Sequence, residues 1–446
     1  MHIWLYLAIF LFSTVFGKEI FTEEKIKEFL TQENPYIYTI IGKKYVYQGK
    51  RKYYEGFFDT KISGKYERKD YPLSTGNFAS FFLEKPTFSG IDFLLGYRRA
   101  TGVQEYNNIK TSQDGELQIG FKIPFFQLRN NIDQRRLNLF LTDIQIKQID
   151  YQFQNKLREL YLKIISSYYK TIYYKHILSI EEELLQKAKQ RQNFIQKRVK
   201  TGILPKIYEI EAQQQIINRE QRVLKARNDL ETSLNEFLKY LNISKKEFAQ
   251  RFQLPFFPEL PQINISIKEA KQIALENRPD LITLNLERER LKKEKMYYSL
   301  LKYPKFIISI YGVHDFRYNE GYKLTLDATY PIERRKYIGK SIEIRKQLYL
   351  IEKKFQKILL ELQTNLNNIF QTTKILKENI KNSKKEIELV TKLEEIEKKK
   401  FKLGAGTLFL INQREIYTLE TKKKYLKYIL EYLITYKKLL IELNLF

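Results

Sequence analysis

The chain has 446 residues, of which 79 are Lys or Arg and 52 are Asp or Glu, so its formal net charge is +27. Hydrophobic residues make up 43% of it, which excludes a wholly disordered protein. The sequence contains no cysteine, which excludes disulfides, thiol nucleophiles and sulfur-ligated metals. Its three histidines, His2, His176 and His314, lie far apart in sequence. We therefore expect no metal site and no cofactor.

The first 17 residues predict an export signal. Met1–Gly17 contains no charged residue, and its apolar run of about ten residues is shorter than the roughly 20 needed to cross a bilayer. Val15 and Gly17 supply small residues for cleavage before Lys18. We interpret 1–17 as a signal peptide. A buried N-terminal strand is the alternative, because the basic residues that usually open such a signal are missing.

Long stretches of the chain lack the residues that end helices. Neither Gly nor Pro occurs in 125–201, 206–254, 340–403 or 407–446. Apolar residues recur within these windows at heptad spacing, as at Ile210, Ile217 and Leu224. This pattern predicts long helices that pack as a coiled coil or bundle. We place helices at 127–201, 206–241, 337–402 and 408–443, with short breaks at 202–205 and 404–407.

The chain contains an internal two-fold repeat. In each half, an amphipathic helix precedes a proline, a strand leads into a proline, and a Gly-centred break follows a long helix. The paired residues are Pro35 and Pro279, Pro124 and Pro331, and Gly202 and Gly404. We assign the halves to 18–261 and 262–446, place the second amphipathic helix at 266–277, and expect about 37 additional residues in the first half, within 72–115.

Apolar and polar residues alternate ahead of the prolines, which predicts strands. The alternating segments are Phe58–Tyr66, Ile91–Tyr97, Glu116–Ile123, Tyr322–Tyr330 and, more weakly, Phe306–Val313. Alternation fits a sheet on a soluble core or a membrane barrel, and aromatic residues at the strand ends favour the barrel. We place one strand pair within 57–123 and another within 306–330. In the first pair, Leu117–Ile123 joins either Ile91–Tyr97 or Phe58–Tyr66.

The order and duplication of these motifs resemble those of the TolC-like outer-membrane efflux family, over nearly the whole chain after residue 17. The segments that carry the resemblance are Ile267–Asp280, Gly115–Phe126, Gly202–Pro205 and Gly404–Thr407. The resemblance implies a mixed α+β, mostly α fold and a homotrimer. Each protomer would give four strands to a shared outer-membrane β-barrel, which a long α-helical coiled-coil barrel would continue into the periplasm. It also implies three partners: a periplasmic adaptor protein, an inner-membrane transporter and outer-membrane lipid.

The resemblance also implies roles for particular residues. It assigns adaptor-contacting helix tips to Gly202, Ile203, Leu204, Pro205, Gly404, Ala405, Gly406 and Thr407, although a plain helix-ending turn is the alternative. Family members carry two Asp just after the second tip, lining the periplasmic aperture, where this chain has Leu410 and Gln413. With Lys200, Lys206 and Lys402 nearby, we expect a neutral to basic aperture. If the register differs, Glu209 or Glu415 would line it instead.

These features predict a passive outer-membrane channel-tunnel of a tripartite efflux or type I secretion system. The alternative is a periplasmic coiled-coil scaffold or adhesin without transport activity. We expect no enzyme, because no nucleophile elbow, metal motif or dinucleotide fingerprint occurs. We expect no nucleic-acid partner, because the lysines are spread along helix faces and not clustered.

Overall fold

The computed structural model describes residues 18–31, 33–72, 74–102, 105–106, 109–125 and 132–445. The expected signal peptide, 1–17, lies outside the described residues. The chain divides into a helical unit, formed by the described parts of 1–40, 154–278 and 359–446, and a sheet unit, formed by those of 41–153 and 279–358. Each unit takes segments from both halves of the sequence, so the compact units do not coincide with 18–261 and 262–446.

The described residues form strands and helices in the following order. The strands are β1 (Glu19–Ile20), β2 (Lys61–Tyr71), β3 (Ser74–Pro86), β4 (Asp92–Gly102), β5 (Glu105–Tyr106), β6 (Ile109–Lys110), β7 (Glu116–Pro124), β8 (Phe252–Gln253), β9 (Lys305–Asp315) and β10 (Asn319–Thr329). The helices are α1 (Pro35–Glu55), α2 (Gln134–Lys200), α3 (Ile207–Leu241), α4 (Lys245–Arg251), α5 (Ile267–Asn277), α6 (Pro279–Ser299), α7 (Arg335–Lys402) and α8 (Leu408–Glu442).

The long helices occupy the windows that lack helix-ending residues. Helix α2 ends at Lys200 and α3 ends at Leu241, beside the predicted ends at 201 and 241. Helices α7 and α8 lie beside the predicted 337–402 and 408–443. The predicted start of the first long helix, at 127, lies outside the described residues. None of the helices in the described ranges combines the length and the apolar character needed to span a bilayer.

The two amphipathic segments of the repeat fold differently. In the second half, the Ser266 side chain and Glu269 form a reciprocal capping box, which starts the α-helix α5. In the first half, Thr22 makes no such side-chain bond, and Glu23–Phe29 forms a 3-10 helix. Glu23 instead accepts hydrogen bonds from the hydroxyls of Tyr161 and Tyr169 on α2. The first segment is therefore held by tertiary contacts and not by its own cap.

The main sheet has six strands, in the order β10-β9-β7-β4-β3-β2, and every neighbouring pair is antiparallel. The prediction of a single strand pair within 57–123 is wrong, because β2, β3, β4 and β7 all lie there. Of the two pairings that the sequence left open, β4 with β7 is confirmed, whereas the segment 58–66 contributes to β2, which pairs with β3. The hairpin β2–β3 starts at Lys61, before the expected insertion at 72–115.

Each unit has its own apolar core. In the helical unit, buried side chains of α5, α7 and α8 pack together around Ala274, Leu366 and Leu439. In the sheet unit, Leu291 of α6 packs against Ile344 and Ile351 of α7. Fully burying a large apolar side chain contributes about 1.5–3 kcal/mol, so these clusters hold the helices of each unit together.

Candidate functional sites: the sheet faces and the helix tips

One face of the six-stranded sheet is apolar and exposed. Its members alternate along each strand with residues of the other face. They include Ile62, Phe81, Phe93, Leu95, Ile119, Leu324 and Leu326, all of which are exposed. An apolar surface that extends across every strand of a sheet must be covered by lipid or by another protein to be stable.

The other face of the sheet is polar and surrounds a cavity of about 630 Å³. Side chains from all six strands line this cavity, so the sheet curves around its polar face. Two pairs of charged groups lie there: Arg98 with Glu116, and the Lys122 Nζ with the Glu84 carboxylate at 3.7 Å. A polar concave face and an apolar convex face reverse the pattern of a sheet on a soluble core. This arrangement suits water inside and lipid outside.

Both predicted tips have the same backbone turn. At the first tip, the N–H of Gly202 donates to the Val199 carbonyl at 3.0 Å, and the N–H of Ile203 donates to the Arg198 carbonyl at 2.9 Å. Gly202 has φ +71°, in the left-handed region that favours glycine. This pair of bonds is the Schellman motif, which satisfies the last carbonyls of α2.

The second tip repeats the turn with its own residues. The N–H of Gly404 donates to the Phe401 carbonyl and the N–H of Ala405 to the Lys400 carbonyl, both at 3.0 Å. Gly404 has φ +82°. Thr407 then caps α8, because its hydroxyl accepts a hydrogen bond from the N–H of Leu410.

A shared core brings the ends of the four long helices together behind the tips. Ile195 of α2, Ala212 of α3, Phe401 of α7, and Leu408 and Ile411 of α8 form this core. Leu204 packs against it and is half-buried, and Leu408 is 1% exposed. Leu408 is therefore not available for contact with a partner.

The exposed apolar surface of the tips comes from other residues. Ile203 is 63% exposed. Leu403 and Phe409, which lie outside the predicted tip residues, are 84% and 61% exposed. Their exposure could have been anticipated from the turn itself, because Leu403 immediately precedes the left-handed Gly404 and Phe409 lies one residue beyond the buried Leu408.

The residues predicted to line the aperture are accessible. Leu410 and Gln413 are both exposed on α8, one helical turn apart. Lys200, Lys206 and Lys402 are exposed at the adjoining helix ends. Glu415 is completely buried, so it is not free to line an aperture in this conformation.

Glu415 instead joins helices through buried ion pairs. Its carboxylate contacts the guanidinium of Arg191 on α2 and, at 2.7 Å, that of Arg219 on α3. The ammonium of Lys398 on α7 lies 3.4 Å away. Burial lowers the pKa of Arg219, and Glu415 opposes this shift. All four long helices are thus connected by one carboxylate.

The described residues include no group of three or more His, Asp or Glu side chains arranged to hold a metal ion.

Comparison with known proteins identifies the fold. No protein-family model matches the chain, and no curated protein matches it significantly. Among solved structures, the chain is similar to CusC, with 13% identity, a TM-score of 0.66 and coverage of 96% of this chain and 95% of that one. It is similar to the outer membrane protein VceC of Vibrio cholerae, with 11% identity, a TM-score of 0.68 and coverage of 94% and 95%.

A third similar structure is the CmeC outer membrane channel of Campylobacter jejuni, with 10% identity, a TM-score of 0.68 and coverage of 94% of this chain and 85% of that one. At these identities the likeness speaks for the fold. Because it extends over almost the whole length of each chain, it includes both the sheet and the long helices. The chain therefore has the fold of the outer-membrane channels, the fold that its resemblance to the TolC-like efflux family implied.

Proposed function

We propose that the protein is a passive outer-membrane channel-tunnel of a tripartite efflux or type I secretion system, extending from the outer membrane into the periplasm. An inner-membrane transporter would supply the energy and a periplasmic adaptor would connect the two. The observation that carries the proposal is the two-faced sheet, apolar outside and polar inside on all six strands. A single chain leaves the edges of this sheet unpaired, and open edges are not tolerated in lipid, so several copies must close it.

Apolar seams on the helices support a homotrimer. Ile210, Ile217 and Leu224 lie at heptad spacing on α3 and are all exposed in the single chain. Leu389, Leu393 and Ile396 form a similar exposed seam on α7. Seams of this kind are covered when helices of neighbouring chains pack against them. Three copies, as in the family the chain resembles, would cover the seams and close the sheet together.

Membrane extraction tests the proposal directly. We expect the protein to fractionate with the outer membrane, to require detergent for extraction, and to run as a trimer that dissociates on heating. The purified protein should conduct ions in planar bilayers. Recovery from the soluble periplasm without detergent would reject the channel and favour the scaffold or adhesin.

The tips would contact the adaptor through their exposed apolar side chains. Ile203→Asp and Phe409→Asp each place a charge on this surface without removing a buried group, so trimers should still form in the membrane. Export, measured as ethidium efflux from cells in which this protein is the sole channel of its fold, should be lost. Tyr318→Asp, in the turn between β9 and β10, is the matched control because Tyr318 is also exposed. Normal efflux by both tip variants would leave the tips as plain turns.

The aperture would close by dewetting. In a trimer, three Leu410 side chains would form an apolar ring, which resists ions without binding them. Conductance should then be insensitive to millimolar divalent or trivalent cations, and Leu410→Asp should create such a block, whereas Tyr318→Asp should not. Cation block of the unmodified channel would show that other residues line the aperture.

A further inference from the structure

We propose that all six strands of each protomer enter the barrel, so that the trimer closes a barrel of eighteen strands and not the twelve that four strands per protomer would give. This inference deepens the proposed function and rests on it, because it presupposes a trimeric outer-membrane channel. It concerns the hairpin β2–β3, of which the sequence predicted only the segment Phe58–Tyr66, as an alternative partner of Leu117–Ile123.

The hairpin is a full member of the sheet. Every residue from Lys61 to Tyr71 pairs with a residue of β3, between Ser74 and Glu84. Strand β3 in turn pairs with β4 from Gly76 to Pro86. A barrel that ended at β4 would have to release this whole β3–β4 ladder to free β4 for a neighbouring chain.

The hairpin also has the same two faces as the other strands. Ile62, Phe81 and Leu83 lie on the apolar face, in register with Leu95 and its neighbours. On the polar face, side chains of β2 and β3 line the same cavity as those of β4, β7, β9 and β10; they include Ser63, Lys65 and Glu84. An accessory hairpin outside the barrel would have no reason to keep its polar side chains facing the lumen.

The apolar band lies farther along β3 than along β10, as strand tilt requires. Leu324 on β10, Ile310 on β9, Phe121 on β7 and Phe93 on β4 lie in one cross-strand row, which meets β3 at Lys85. On β3 the apolar side chains are centred on Phe81, beyond that row. The band therefore advances about one residue per strand, or ~3.3 Å for every ~4.8 Å between strands. This corresponds to a tilt of about 35°, within the range of membrane barrels.

The direction of the edges permits closure. Since every pair in the sheet is antiparallel and the sheet has six strands, β2 and β10 run in opposite directions. The β10 edge of one protomer can therefore pair with the β2 edge of the next in the antiparallel sense. Three copies leave no open edge.

The consequence is a wider outer-membrane pore. Barrel diameter grows roughly in proportion to strand number, so eighteen strands would give a lumen about one and a half times as wide as twelve.

Cysteine cross-linking tests the proposal, because the natural sequence has no cysteine. Ser63→Cys on β2 is combined in turn with Gly321→Cys, Lys323→Cys, Thr325→Cys or Asp327→Cys on the lumenal side of β10. Neighbouring strands place such pairs within reach of a disulfide. After mild oxidation of detergent-extracted trimers, at least one combination should give covalent trimers on denaturing gels. The control series replaces Ser63→Cys by Leu94→Cys on β4 and should give none.

Cross-links from Leu94→Cys but not from Ser63→Cys would overturn the proposal in favour of twelve strands. A detergent-extracted trimer that forms neither set of cross-links would also overturn it, while the proposed channel function would stand. A protein that is not trimeric, or that is recovered without detergent, would instead reject the proposed function together with this inference.

Discussion

The two helix tips have the same turn but different support behind it. At the first tip, α3 begins after Pro205 and Lys206 without a side-chain cap. At the second, Thr407 caps α8 and Gly406 lies close against α7. Counted from the tip glycines, the counterpart of the buried Glu415 is the exposed Gln213. A glycine in the left-handed region is thus enough to form the same turn at both tips. The second hairpin also carries Glu415, whose ion pairs connect the helices to one another.

The largest expected effect comes from Glu415. Glu415→Gln keeps the shape of the side chain but leaves the guanidinium groups of the half-buried Arg191 and the buried Arg219 without their carboxylate, which should cost about 3–5 kcal/mol. Thermal unfolding followed by the helical circular-dichroism signal should show a large fall in Tm. Gln213→Ala, at the exposed counterpart, should change stability by less than about 0.5 kcal/mol. An equal fall in Tm for the two variants would contradict this difference between the tips.

Gly406 should be the next most sensitive position. A Cβ there would lie 2.9 Å from the backbone nitrogen of Phe401, so Gly406→Ala forces the backbone apart and should cost about 1–3 kcal/mol. Gly339 on α7 has nothing within 4 Å of the same position and no left-handed φ. Gly339→Ala should therefore stabilise its helix, by about 0.5–1 kcal/mol. We therefore expect Tm to fall for Gly406→Ala and to rise for Gly339→Ala. An unchanged Tm for Gly406→Ala would contradict the close approach of Gly406 to Phe401.

The cap on α8 predicts a smaller difference. Thr407→Ala removes the hydroxyl that accepts from the N–H of Leu410 and should cost about 1 kcal/mol. Lys206→Ala, just before α3, removes no cap and should leave Tm nearly unchanged. Amide hydrogen exchange in the first turn of α8 should rise in the first variant alone. Similar exchange in both variants would show that Thr407 does not hold the turn.

The smallest expected effect depends on pH. Burial alone would raise the pKa of Glu394, but hydrogen bonds from Lys398 and Thr418 outweigh it and lower that pKa below its usual value of 4.5. A lowered pKa contributes stability that is present above about pH 4.5 and is lost as pH falls through the folded-state pKa. The counterpart at the first tip, Gln192, does not titrate. Between pH 6 and pH 3.5, the Tm of the natural protein should fall a few degrees more than the Tm of Glu394→Gln. Parallel plots of Tm against pH for the two proteins would contradict this prediction.

The sequence was sufficient to predict the long helices and the turns that end α2 and α7. Helix ends follow from where Gly and Pro occur, and Gly202 and Gly404 mark turns that few other residues can adopt. It was not sufficient to predict the helices α1 and α6. Helix α1 contains many Tyr and β-branched residues together with Gly42 and Gly49, which have low helix propensity, so tertiary packing overrides local preference there.

The remaining features depend on residues that are distant in sequence. Alternation indicated part of β2, but the place of the hairpin β2–β3 in the sheet depends on its register with β4, which no local pattern specifies. The burial of Glu415 follows from Arg191 and Arg219, which reach it across 224 and 196 positions of the chain. A carboxylate beside an arginine on a helix looks solvated until those partners are known.

The separation of these charges along the chain has a consequence for the order of folding. Arg191 and Arg219 precede Glu415 in the chain, so a first helical hairpin that forms ahead of α8 cannot bury them without a severe desolvation penalty. Only when α8 arrives can the four helix ends close around one carboxylate. We expect a chain shortened before residue 415 to keep its first hairpin loosely packed and open to proteolysis, so that the pairing acts as a check that the whole protein has been made.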